Sequence, residues 1–313
     1  MSKEITVVLM TYNHINYIKQ ALDSILSQII DIDFNILVHD DCSNDGTYEL
    51  LLKYQKQFPN KIEIIRQTKR RFLDDGFNML LYKYVAPRIE SRFVAYCDGD
   101  DYWIDRFKLK KQFLFMTNNP DYSLCFHSAY QLRIDNDLTS KWFIRSESDF
   151  TLSDFINDKP GVCVATSSIF IRSDVFKDFP NWRQKYPVED VPMYIAAAIS
   201  GRIHCLADIM CVYRQFAFGS WSSQNHNNTN RLIGHQENMK NAIQLFDCET
   251  NFAYHDLVIK EIEGHDFMIA LLKKDYKTVF LKQNKRFVKR LPFKERLVLR
   301  IEYKHPKFYK MFH

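Results

Sequence analysis

The chain has 313 residues, 46% hydrophobic and 26% charged, enough apolar material for one large core and no bias toward disorder. Its net charge is +5, but Lys282 to His313 holds eleven Lys/Arg against two acids, a local +9 that leaves the body at −4, so the basicity belongs to the tail and says nothing about a nucleic-acid-binding body. Seven cysteines, odd in number and without a Cys-x-x-Cys pair, exclude a disulfide framework and a structural zinc site; Cys97, Cys163 and Cys205 stand in apolar runs and are expected as buried thiols in a reducing cytosol.

Glu4 to Met10 is aliphatic and β-branched and is predicted as a strand buried on both faces. Thr11-Tyr12-Asn13 is a polar loop, followed by a helix with Ile18, Leu22, Ile25 and Ile29 on one face. A second strand, Phe34 to His39, ends in Asp40-Asp41-Cys42-Ser43-Asn44-Asp45-Gly46-Thr47. That loop of turn and capping residues leads into a helix carrying Leu50, Leu51 and Tyr54. Lys61 to Arg66 is a third strand, and a helix from about Asp74 to Ala86 precedes a fourth, Phe93 to Cys97. Strand and helix alternating in this way imply a parallel sheet with helical crossovers. After Asp105 come a helix with Leu109, Phe113 and Met116 inward, a strand from Tyr122 to Leu132, and an irregular polar stretch from Asp135 to about Asp149. A short helix near Leu152–Ile156, a strand Cys163–Arg172, a helix Val191–Ser200 and a strand Ile203–Arg214 follow. Phe216 to Asn230 is a Ser/Asn/Gly-rich loop. Helices are predicted over Asn230–Phe246, Phe252–Lys273 and Tyr276–Lys289. The N-terminus shows no signal-peptide pattern, and no apolar run reaches the roughly 18 residues of a membrane span.

The fourth strand ends in Asp98-Gly99-Asp100-Asp101. Three carboxylates in four positions repel one another, and a divalent cation relieves them, since hard oxygens suit Mg²⁺ or Mn²⁺. In open α/β sheets ligands bind beyond the carboxyl ends of the strands, where this cluster falls. A solvated acidic turn is the plain alternative.

Four motifs in order, Val7-Val8-Leu9-Met10-Thr11-Tyr12-Asn13, then Asp40 to Thr47, then Asp98-Gly99-Asp100-Asp101, then Glu189-Asp190, resemble the family 2 inverting glycosyltransferases over roughly Ile5 to Ser222. The resemblance implies a GT-A α/β fold, a nucleotide-binding parallel or mixed sheet flanked by helices, with a helical C-terminal region. It implies a GT-A domain over 1–225, with a nucleotide-sugar half of about 1–105 and an acceptor half of about 106–225, and a region 226–313 carrying the basic tail. By that match Thr11, Tyr12, Asn13 and Asp41 hold the nucleoside, although capping by this loop explains the same acids. Asp98 tends toward the ribose, Asp100 or Asp101 toward Mn²⁺ or Mg²⁺, and Gly99 lets backbone approach the phosphates. Asp190 is the general base, with Glu189 beside it; two acids at a helix start also suit its dipole. Tyr102 and Trp103 either wall the sugar pocket or simply pack.

The pattern also departs from the family. Tyr213-Arg214-Gln215-Phe216, before Gly219-Ser220-Trp221-Ser222, has phenylalanine where many relatives carry histidine; His226 is a substitute or a solvated loop residue. Lys69, Arg70, Arg71 and Arg214 are candidates for the diphosphate, with no choice among them. The motif of processive synthases is absent, so the implied activity is addition of one sugar, from a UDP-sugar by the tilt of Asp41 and Thr11-Tyr12. The acceptor implied is a hydroxyl of a glycan or lipid-linked glycan in bacterial surface polysaccharide synthesis. No Gly-x-Gly-x-x-Gly or P-loop occurs, which excludes a dehydrogenase. A sugar nucleotidyltransferase, or a non-catalytic binding protein on this fold, remains as an alternative. The tail interleaves Lys and Arg with Phe287, Leu291, Phe293, Leu297, Leu299, Tyr303, Phe308 and Phe312, which suits an anionic membrane surface or a helix packed on the body. The expected place is the cytoplasm, peripheral at the inner face of the plasma membrane. Nucleic acid is not expected as a partner, and the sequence leaves the oligomeric state open.

Overall fold

The computed structural model describes residues 3–134, 138–143, 146–156, 164–218, 220, 223 and 228–304. Cys163, Gly219, Trp221, Ser222, His226, Phe308 and Phe312 lie outside the described residues. Two compact units divide the chain, one holding Met1–Phe155 and Val162–His226, the other Ile156–Gly161 and Asn227–His313.

The first unit is an α/β structure around one mixed sheet. Its strands are β1 (Ile5–Thr11), β2 (Phe34–Asp40), β3 (Ile62–Arg66), β4 (Phe93–Asp98), β5 (Tyr102–Trp103), β6 (Tyr122–Arg133), β7 (Leu138–Phe143), β8 (Ser148–Phe150), β9 (Phe170–Arg172) and β10 (Arg202–Gln215). The order is β3-β2-β1-β4-β9-β6-β10-β5, with β7 on β6 and β8 on β10. β3, β2, β1 and β4 run parallel, β9 is antiparallel to β4 and β6, and β6 and β10 are parallel. Every residue of β1 is buried, as expected of a parallel strand covered on both faces. Ile5, Val7, Leu9, Ile36, Val38, Phe93, Ala95 and Cys97 share a core with Ile18, Leu22 and Ile25 of helix α1 (Ile18–Leu26). Helix α2 (Thr47–Gln57) buries Leu51 and Tyr54.

Register sets the site. Thr11 lies opposite Asp40, and Met10 opposite Asp98, so the chain leaves β1, β2 and β4 at one edge of the sheet.

Several expected elements differ. The helix expected over Asp74–Ala86 is four short pieces, Phe72–Asp75, Phe77–Leu80, Leu81–Val85 and Ala86–Arg88. Gly76 at φ +75° breaks it, a conformation glycine adopts without steric cost. The strand expected over Cys163–Arg172 is reduced to β9, preceded by a tight turn at Thr166–Ser168. Ile29 lies past the end of α1 and is exposed. The stretch expected to be irregular contains β7 and β8. Cys97 and Cys205 are buried thiols.

The second unit is helical, with long helices Thr229–Glu249 and His255–Leu272. Its small core joins Phe267, Ala270, Val279, Phe287 and Val288. The third expected helix is broken into Tyr276–Val279, Lys282–Asn284 and Lys285–Arg290. A terminal helix, Phe293–Lys304, stacks Tyr303 on Phe280 and leaves Phe293 and Leu297 exposed. Among the described residues no helix is long and apolar enough to cross a membrane.

Candidate active site

The loops after β1 and β2 are hydrogen-bonded into one platform. The N–H of Asn13 donates to Ser43 Oγ at 2.9 Å, and the N–H of Asn44 returns to Asn13 Oδ1 at 2.9 Å. His14 N–H donates to Thr47 Oγ1, and Ile15 N–H to Asp45 Oδ2. Asp45 Oδ1 accepts from Thr47 N–H at 3.0 Å at the start of α2, so Asp45 is the capping acid of this loop. Asp40 is buried and accepts from the Ser43 hydroxyl.

Asp41 is also buried. Its two oxygens accept the backbone N–H groups of Arg71 at 2.7 Å and Phe72 at 3.0 Å, tethering the loop after β3 to the end of β2. Burial pushes its pKa up, and those N–H groups with the Arg70 and Arg71 charges draw it back. Each carboxylate oxygen keeps a second lone pair for a ligand. The Arg70 guanidinium lies 4.1 Å from the centre of the Tyr12 ring, which places a cation and an aromatic face beside Asp41.

Gly99 closes against the first loop. A Cβ there would lie 2.7 Å from His14 Nδ1 and 2.8 Å from Thr11 Oγ1. Those two polar atoms are buried without a hydrogen-bond partner, which marks the Thr11–His14–Gly99 contact as a place short of donors and acceptors.

Asp100 and Asp101, expected side by side at a cation, are placed differently. Asp101 is 1% exposed; its Oδ1 accepts from Arg214 N–H at 2.9 Å and its Oδ2 from Ser167 Oγ at 2.7 Å. Burial, with the charge of Asp100, pushes it up to about 8. No hydrogen bond or ion pair engages the Asp100 side chain among the described residues; its carbonyl accepts from the Arg214 guanidinium. Arg214 is itself buried, bonded to Gln20 and stacked over Tyr102. Lys69 pairs with Asp74 at 2.6 Å. Trp103 is core, its Nε1–H donating to Ser167 carbonyl. Phe216 sits at φ +62°, a backbone region rare for a bulky residue.

Glu189 and Asp190 open the helix Asp190–Ser200, and Asp190 Oδ1 accepts from Val191 N–H at 2.8 Å. They join Asp98 and Asp100 in one acidic group from segments some ninety residues apart. Burial, then Glu189, Asp101, Asp100 and Asp190, hold Asp98 well above the carboxylate range. Burial, Asp190 and Asp100 push Glu189 up to about 8, and burial raises Asp190. The repulsion foreseen at Asp98–Asp101 thus extends to a second acidic pair.

Ser167 was missed by sequence reasoning. It donates to Asp101 and accepts from Asp98 N–H at 3.0 Å; three hydroxyls in a row, Thr166-Ser167-Ser168, inside an apolar run were the available signal. A cleft of about 580 Å³ lined by Asp121, Tyr122, Arg172 and Asp174 lies toward the Phe93 end of β4, whose partner is Arg172, and contains none of these residues.

The sequence model for Glycosyl transferase family 2 matches residues 6–179, the region that builds this edge. The chain belongs to Glycosyl transferase family 2. A putative teichuronic acid biosynthesis glycosyltransferase, TuaG of Bacillus subtilis, is 25% identical over 226 residues, 70% of this chain and 83% of TuaG. An uncharacterized Mycobacterium tuberculosis protein is 26% identical over 228 residues, 70% of this chain; the chain spans 60% of that relative's length. Among solved structures, Staphylococcus aureus TarS 1–349 with UDP superposes with a TM-score of 0.54 at 17% identity, covering 93% of this chain and 76% of that one. A Pyrobaculum calidifontis mannosyltransferase with GDP-Man and Mn²⁺ gives 0.53 at 15%, covering 92% and 83%. These likenesses give the family 2 chain the GT-A fold.

The donor set at this family 2 site is made of hard carboxylate oxygens. No three His, Cys, Asp or Glu among the described residues form a cage for a metal ion. Mg²⁺-type sites need only one or two carboxylates when substrate phosphates supply the remaining oxygens, and the unengaged Asp100 beside Asp98 fits that form.

Proposed function

We propose that this chain is a single-addition, inverting glycosyltransferase that moves a sugar from a UDP-sugar to a hydroxyl of a glycan or lipid-linked glycan in bacterial surface polysaccharide synthesis. The observation that carries it is the meeting of Asp98, Asp100, Glu189 and Asp190 beside the platform of Thr11, Asn13 and Asp41, at the carboxyl ends of parallel strands. TuaG's name and the UDP and UDP-GlcNAc complexes of TarS support the donor and pathway.

Asp41 accepts from the N3–H of the base, while Thr11 and Tyr12 frame ring and ribose and Asn13 holds their loop. Asp98 turns to the ribose. Asp100 would hold a Mn²⁺ or Mg²⁺ ion with the diphosphate, and Asp101 keeps that loop in place. A divalent cation there supplies Lewis-acid neutralisation of the leaving diphosphate. Asp190 Oδ2 takes the proton of the acceptor hydroxyl as its oxygen attacks the anomeric carbon opposite the leaving group, which inverts that centre. Glu189 orients the acceptor. A nucleoside diphosphate leaves without protonation, so no general acid is required, in contrast to inverting hydrolases. The basic tail rests on an anionic membrane at the cytoplasmic face, its exposed Phe293 and Leu297 entering the interface.

Thermal stabilisation by UDP, GDP, CDP and dTDP, each with Mn²⁺ and with EDTA, tests the reading on wild type and Asp100→Asn. UDP raising Tm only with the metal, and only in wild type, supports it; ligand binding to the native state alone raises stability with concentration over Kd. No stabilisation by any nucleotide overturns it. Asp190→Asn that binds UDP but transfers nothing assigns the base.

A further inference from the structure

Tyr96 lies two residues before Asp98 in β4. Phe93, Ala95 and Cys97 turn into the core on one face of the strand, so alternation puts Val94, Tyr96 and Asp98 on the other. The ring is fully buried, and its hydroxyl has no hydrogen-bond partner. Buried tyrosine hydroxyls ordinarily find one, and phenylalanine fills the same space without the unmet donor. The charges acting on this hydroxyl are Asp98, Glu189 and Asp190, with Cys97 behind them. Each of these carboxyl groups, protonated or ionised, keeps an oxygen able to accept from the Tyr96 O–H. The backbone of Tyr96 is fixed: its N–H donates to Ile169 carbonyl at 3.1 Å, and it sits in register with Val8. The freedom to make the missing bond therefore belongs to the acid side chains.

We propose that Tyr96 is a positioning residue for the acid pair: with donor bound, its O–H donates to the Glu189 carboxylate and holds Glu189 and Asp190 in the orientation that accepts the acceptor proton. The proposal rests on the transferase reading above. It assigns a working role to a side chain in a strand that otherwise looks purely structural, and explains why the core carries a hydroxyl there.

The test compares wild type with Tyr96→Phe, using UDP-GlcNAc turnover followed as UDP release and UDP affinity from thermal shift in Mn²⁺. The expected result is an unchanged or higher Tm without nucleotide, UDP affinity and donor KM within twofold, and kcat down about tenfold, the scale of one hydrogen bond to a charged group. Combining it with Glu189→Ala should add little further loss, because the bond's acceptor is already gone. A kcat within twofold of wild type, or a loss shared equally by KM and Tm, overturns the proposal. Should Tyr96→Phe not fold, the ¹³Cζ resonance of Tyr96 in wild type decides: a shift on adding UDP with diamagnetic Mg²⁺ supports the bond, and an unchanged resonance overturns it. Wild type that neither binds UDP nor turns over donor sinks the transferase reading and this proposal together, an outcome read without any variant.

Discussion

The backbone N–H of Arg214, the penultimate residue of β10, donates to Asp101 Oδ1 at 2.9 Å across 113 positions of sequence. With Ser167 on the other oxygen, Asp101 is bonded as a joint between two parts of the sheet. Asp101→Asn can keep one carbonyl acceptor for Arg214 and lets Ser167 accept instead of donate. Asp101→Ala leaves a buried N–H and a hydroxyl unpaired, a loss of about 1–3 kcal/mol for each. Denaturant unfolding should therefore show Asp101→Asn near wild type and Asp101→Ala clearly weaker, while Asp100→Asn keeps full stability and loses metal-dependent UDP binding.

Glu189 makes stability depend on pH in a particular direction. Its folded value of about 8 lies above the ordinary 4.5, so between these values the native state holds a proton that the unfolded chain releases. Stability from this group is complete below about pH 4.5 and declines as pH rises toward 8; Asp101, also at about 8, adds in the same sense. The ligand-free protein should melt lower at pH 8.5 than at pH 6.5, and Glu189→Gln should reduce that difference. Mn²⁺ with UDP should narrow it in wild type by supplying positive charge.

Asp41 holds the loop after β3 by two charge-assisted bonds to Arg71 and Phe72. Asp41→Ala removes both, at about 2 kcal/mol of local stability. Limited trypsin digestion should then cut after Arg70 or Arg71 several-fold faster than in wild type. An unchanged cleavage rate would show the tether to be idle.

Gly99→Ala should be poorly tolerated, because its Cβ would meet Thr11 Cβ at 2.9 Å as well as the His14 ring. Overpacking of this kind costs about 1–3 kcal/mol. Adding His14→Ala relieves only one of the two clashes, so the double variant should regain part of the Tm, and UDP binding should follow the same partial recovery.

The parallel half of the sheet was legible because β1, β2 and β4 are short apolar runs ended by polar turns. The capping role of Asp45 was legible from its place before α2. Less visible was the break at Gly76, since an isolated glycine interrupts a helical pattern without announcing its φ. The strand Cys163–Arg172 was overextended because its apolar ends concealed Ser167, whose hydroxyl is committed to residues in the Asp98–Asp101 turn. Roles within the acidic group were the hardest to read. Asp100 and Asp101 are adjacent and chemically identical, and only the fold brings Arg214 and Ser167 to one of them. The unpaired hydroxyl of Tyr96 could be seen only once Glu189 and Asp190 were placed.

The Arg214 guanidinium bonds the Asp100 carbonyl and Gln20 of α1, so an acidic turn from the first third of the chain and the first helix are both buttressed from β10. This has a consequence for recombination between relatives. A hybrid joined near residue 105 would inherit the acidic turn from one parent and its buttress from another. Crossovers that keep Gln20, Asp100 and Arg214 from a single parent should give folded chimeras more often, and residues 1–105 alone should not form a free-standing nucleotide-binding module.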